Sequence, residues 1–186
     1  MVKNLVVLAG VMLMCGCATN STAYRYAENA QPITEKQAQY FISDINVKID
    51  QVKSIAGYPN ETELAQIFKT KLEDGLAKQN KLVAADSVDA LGVAFDIRYK
   101  RVFSGEGFGM AGAVGRPVVA IESKILNDGK IIASYSQENV TTNHGLFGNF
   151  ATIGKQLSQS AGPEEELKDI DILTQGMVDN LVNIGR

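Results

Sequence analysis

The residues best equipped for chemistry are the two thiols of Met14-Cys15-Gly16-Cys17, the only cysteines in the 186-residue chain. A thiolate is both a nucleophile and a soft metal ligand. A tetrahedral metal site needs further Cys or His donors, and the single histidine, His144, lies far along the chain. A metal pair is therefore not expected here. Ahead of the thiols, Lys3 gives a basic start, and Leu5 to Met14 form an apolar run broken only by Gly10. The run is too short for a ~30 Å hydrocarbon core, which takes about 20 apolar residues. A charged start, a short apolar centre and a small residue before the cut form the layout of a secretory signal peptide.

The segment resembles the lipobox of bacterial lipoproteins, with Gly16 before the cut and Met14 where that family usually has leucine. The resemblance implies a diacylglyceryl group on the Cys17 thiol, removal of residues 1–16, and acylation of the new amine. Each buried methylene is worth ~0.8 kcal/mol and one acyl chain holds only marginally, so three chains on one residue are effectively permanent. Enteric relatives of this kind with Asp after the cysteine stay in the inner membrane. Ala18 stands there instead, which implies the periplasmic face of the outer membrane.

Loss of the leader leaves 17 Lys and Arg against 21 Asp and Glu. A mildly acidic chain without a dense basic run argues against nucleic acid as a partner. It also argues against a polybasic lipid-binding segment. With Cys15 removed and Cys17 acylated, no disulfide is expected. The covalent lipid is the only non-protein group expected, with no metal or other cofactor.

Further candidates for chemistry are few. Asp96, Glu122 and Glu138 are carboxylates on alternating segments, where a pair at a suitable distance could hydrolyse a glycoside. His144 sits in Asn143-His144-Gly145-Leu146-Phe147-Gly148-Asn149-Phe150 without a Ser-His-Asp or HExxH context. Gly105, Gly107, Gly109, Gly112 and Gly115 punctuate a segment that lacks GxxxxGK[ST] and any βαβ setting. It reads as a long hairpin connection presenting Phe108 and Met110. Phe147 and Phe150 are expected to tuck under a sheet rim. These four aromatic and thioether side chains are the candidate rim of a ligand or partner site.

The elements that must position these residues follow from periodicity. Residues 18–38 carry no apolar repeat and read, with Cys17, as a tether. From Phe41, strict alternation places Phe41, Ser43, Ile45, Val47 and Ile49 on one face of a strand. Asn60 and Glu63 form a capping box for a helix over 61–79, striped by Leu64, Ile67, Phe68, Leu72 and Leu76. Residues 90–103 alternate Val93, Phe95, Ile97 and Tyr99 with Ala94, Asp96, Arg98 and Lys100. Strands follow after Pro117 and over 130–142, joined by Asn127-Asp128-Gly129-Lys130, whose Asp-Gly suits a type I′ turn. Pro163 opens a last helix. Its Glu164, Glu165 and Glu166 are read as a solvated start at the positive dipole end. Leu167, Ile170, Leu173, Met177, Leu181 and Ile184 form its stripe.

Together these predict an α+β fold over residues 39–186: a two-layer sandwich with a mainly antiparallel sheet. The sheet is a three-strand meander plus an N-terminal strand, with two helices on one face. With the lipobox ahead, the glycine-rich stretch from Arg101 to Arg116 and the Asn127–Lys130 turn, the layout resembles small Gram-negative lipoproteins of unknown function. The resemblance implies an envelope lipoprotein, held at the membrane by its lipid, with an envelope protein as partner. Its role is expected to be non-catalytic assembly, scaffolding or binding. The alternative is a carrier or sensor of a small apolar ligand such as a lipid. Mass spectrometry of the mature protein checks the leader: the expected first residue is a Cys17 bearing acyl mass. An unmodified amino terminus would reject lipidation.

Overall fold

The computed structural model describes residues 24–34, 38–51, 57–101, 103–104, 113–114, 117–140 and 163–184. The strands are β1 (Arg25–Tyr26), β2 (Tyr40–Asp50), β3 (Leu91–Lys100), β4 (Phe103–Ser104), β5 (Ala113–Val114), β6 (Val118–Asn127) and β7 (Lys130–Val140). The helices are α1 (Glu61–Lys78) and α2 (Pro163–Val182). A five-strand mixed sheet runs in the order β1-β7-β6-β3-β2, and the helices pack against it. The expected α+β fold is observed. The meander is β3-β6-β7, antiparallel throughout. β2 pairs with β3 in parallel, because the chain crosses back over the sheet through α1.

Local chemistry fixes each element's limits. Asn60 accepts from the Glu63 amide (3.0 Å) while the Glu63 carboxylate accepts from the Asn60 amide (2.8 Å), completing the capping box. The helix closes with Asn80 in the left-handed region (φ 55°). The Lys81 amide bonds Leu76 O and the Asn80 amide bonds Ala77 O, which is a Schellman closure. At the β6–β7 turn, Asp128 and Gly129 both take positive φ (49° and 74°), as the Asp-Gly pair predicts.

Two readings of the sequence need correction. A bulge between Ile42 and Asp44 breaks the strict alternation of β2. Tyr40 and Ile42 therefore face the core on one side of it, and Ile45, Val47 and Ile49 on the other. Phe41 turns outward instead, its ring lying over Gly92 on the opposite face. The tether is also shorter than expected. β1 pairs with β7 (Arg25 opposite Ser134). Tyr24 packs on Tyr135 and accepts from the Ser123 hydroxyl (3.3 Å). Ile33 and Ala38 are buried. Two paired residues and scattered single anchors leave no periodic trace in sequence.

The layer between sheet and helices is filled by Leu64, Phe68, Leu72 and Leu76 of α1 and Ile170, Leu173, Met177, Val178 and Leu181 of α2. Val93, Ile97, Tyr99, Ile121 and Ile125 of the sheet meet them. The helices approach each other closely at Gly75, where an added Cβ would lie 2.7 Å from Val178 Cγ2. Valine's branched side chain has one preferred rotamer in a helix and yields little. Alanine would gain about 1 kcal/mol of helix propensity against roughly 1–3 kcal/mol for overpacking. Gly75→Ala is therefore expected to lower stability by about 1 kcal/mol, and to become neutral or stabilising alongside Val178→Ala. A urea denaturation cycle on the four proteins measures this coupling.

Candidate functional site

The topology brings several element ends together at one end of the sandwich. β2 and β3 finish there, β6 begins there, β7 finishes there, and both helices start there. Segments 51–60, 101–117 and 141–162 consequently leave from this end. β4 and β5 pair antiparallel, with Phe103 opposite Val114. A cleft of about 450 Å³ lies between the end of β2 and the start of α1, lined by Gln51, Tyr58, Asn60, Glu61 and Arg101 among others.

Arg101 is the centre of this end. It follows β3 by one residue, on the inward side of the alternation, and is 5% exposed. Its guanidinium donates to Glu166 through both branches: Nε to Oε1 at 2.7 Å and Nη2 to Oε2 at 3.0 Å. Nη2 also reaches Pro59 O (2.6 Å), and Nη1 reaches Gln51 Oε1 (3.1 Å). The Tyr58 and Tyr99 rings lie 5.5 and 6.0 Å from the guanidinium carbon, within cation–π range. A planar fork bound bidentately and flanked by rings is an arrangement lysine cannot reproduce.

Glu166 therefore corrects the expectation of a wholly solvated acidic start: it is 4% exposed. Leu167, expected in the stripe, is exposed instead. Asp169 is buried beside the same cluster. Tyr99 is fully buried, and its hydroxyl has no hydrogen-bond partner among the described residues. Burial first, then the negative charges of Glu166 and Asp169, raise its pKa.

The open face of the sheet is the second polar surface. Asp96 stands opposite Glu122 across β3 and β6, and Lys124 Nζ lies 2.9 Å from Asp96 and 3.4 Å from Glu122. Asn46 donates to the other Asp96 oxygen (3.1 Å). Arg98 pairs with Glu138 (3.2 Å). The shallow cleft here, about 260 Å³, is lined by Asn46, Asp96, Arg98 and Glu122 together with Lys48, Ser136 and Gln137 among others. The Lys124 hydrogen bond and then that of Asn46 hold the Asp96 carboxyl below its ordinary value of 3.8. A glycosidase acid requires the reverse shift. Asp96 and Glu122 are thus brought together on either side of Lys124, while Glu138 lies beside Arg98.

Cys17, Phe108, Met110, Phe147, Phe150 and His144 lie outside the described residues. Among the described residues no group of three or more His, Cys, Asp or Glu side chains could hold a metal, and no helix is long and apolar enough to cross a membrane.

No protein-family model matches the chain, and no curated protein matches it. Among solved structures it is similar to one described as the crystal structure of an uncharacterized protein, at 16% identity and a TM-score of 0.38. That likeness covers 83% of this chain and 93% of the other.

Two outcomes are expected from this geometry. Removing one member of a buried ion pair strands the other and costs roughly 3–5 kcal/mol, whereas replacing both with apolar residues is often neutral. Arg101→Met and Glu166→Leu should each destabilise by that order, and the double variant should recover most of the loss in chemical denaturation. For Asp96, a depressed folded-state pKa means its contribution is complete above the ordinary carboxylate value. It is lost as pH falls through the depressed one. Carboxyl NMR titration should find Asp96 below 3.8, moving upward in Lys124→Met.

Proposed function

We propose that the chain is a lipid-anchored envelope protein of the periplasmic face of the outer membrane. In this reading its α+β domain serves in assembly, scaffolding or binding without catalysis. The observation that carries it is Gly16-Cys17 behind a basic, short apolar leader. The resemblance to small Gram-negative lipoproteins of unknown function points the same way. The described domain supports a binding body over a carrier. A carrier needs a void between its layers, and Phe68, Leu72, Ile97 and Tyr99 occupy that space at 0–1% exposure. The cations beside the carboxylates of the open face, and the lowered pKa of Asp96, support the same reading.

The end at which β2, β3 and β7 finish, with its cleft between β2 and α1, is the natural contact region. Arg101 and Glu166 supply the rigidity there. Capture from detergent-solubilised envelopes with the acylated protein tests the proposal. A reproducible envelope partner is expected, and it should be lost or weakened with the Cys17→Ala protein. No partner, together with an unaltered envelope on deletion of the gene, would overturn it.

A further inference from the structure

The anchor reading, taken with the position of Tyr24, bears on how the body lies at the bilayer, and this inference rests on that reading. Tyr24 is fastened to the sheet by its ring contact with Tyr135 and by the Ser123 hydroxyl, and β1 follows on the sheet edge. The leash from Cys17 to Tyr24 is then seven residue steps. Fully extended it spans at most about 25 Å, at ~3.3–3.6 Å per residue. The mean end-to-end distance of a coil of this length is about 15 Å, from ~5–6 Å times the square root of its length.

The sheet's own dimensions decide what such a leash permits. Four inter-strand gaps of ~4.8 Å put β2 about 19 Å from β1. Strands of ten or eleven residues run about 35 Å at ~3.3 Å per residue. The mean leash is shorter than either dimension, so the attached edge is kept close to the surface most of the time. The edge that carries β1 is held nearest.

We infer that the β1–β7 edge of the sheet rests on the lipid headgroups, with the β2 edge and α1 turned toward the periplasm. The groups exposed on this edge suit that layer. Tyr26 is 37% exposed and Ile131 is 49% exposed, and Arg25 and Lys130 are exposed next to them. Aromatic rings and cations favour the interface between water and lipid. Glu28 and Asp128 are acidic neighbours, so net charge does not make the contact. The short leash does, and the apolar groups accept it.

The test uses the full acylated protein in vesicles of phosphatidylethanolamine and phosphatidylglycerol. Single cysteines carry nitroxide labels, since no free thiol remains in the mature chain. Glu28→Cys and Ser136→Cys report the proposed contact edge. Asp74→Cys on α1 and Lys48→Cys on β2 report the far side. Flotation with the vesicles, with the first two labels shielded several-fold from a water-soluble nickel relaxant relative to the last two, is the expected result. Flotation with all four labels equally accessible would overturn the orientation and leave the anchor standing. Failure to float would overturn both.

Discussion

A buried ion pair between Arg101 and Glu166 is the constraint on which the rest of this fold turns. Taking two charges out of water costs several kcal/mol each, and the cost is offset only when geometry and hydrogen bonding are complete. Here they are. Every branch of the guanidinium is engaged, by Glu166, Pro59 O and Gln51, and two tyrosine rings enclose it. Because Arg101 closes β3 and Glu166 opens α2, the pair ties two points 65 residues apart. At the other end of the same helix, the Tyr40 hydroxyl donates to Leu181 O (3.0 Å). The last helix is thus fastened at both ends by polar contacts and along its length by apolar ones.

That fastening has a functional consequence. The glycine-rich excursion begins immediately after Arg101, and α2 begins where segment 141–162 ends. Whatever these connections contact, they depart from fixed points. The opposite arrangement holds at the amino-terminal side, where Tyr24, β1, Ile33 and Ala38 draw the chain onto the sheet. The body is therefore continuous almost to its proposed attachment, and only a short leash separates the two. The open sheet face is left as the broad polar surface, with its carboxylates next to Lys124 and Arg98.

Much of the fold was legible in the sequence, because it is written in long periodic segments. The capping box at Asn60, the Asp-Gly turn and the stripes of both helices each have one dominant local cause. The parallel pairing of β2 with β3 was not legible, since alternation reports a face and not a neighbour. The bulge after Ile42 was hidden for a similar reason: period two continues on both sides of it, and only the phase changes. β1 is too short to make a pattern. The ion pair did leave a signal. Arg101 falls on the inward phase of Val93, Phe95, Ile97 and Tyr99, and Glu166 lies one turn before Ile170 on the apolar stripe. Two opposite charges at inward positions call for each other, and reading the glutamates as a group concealed this one. The site residues drawn from the glycine-rich and His144 segments had no such partner in the sequence to test them against.

Native-state hydrogen exchange of the unmodified domain tests the central role of the ion pair most directly. Helix ends ordinarily fray, opening at a small fraction of the global free energy. If Arg101 clamps the start of α2, amides from Lys168 to Leu173 will exchange only through openings close to global unfolding, matching those of β3. Exchange of those amides by low-energy local opening, while β3 stays protected, would contradict the account.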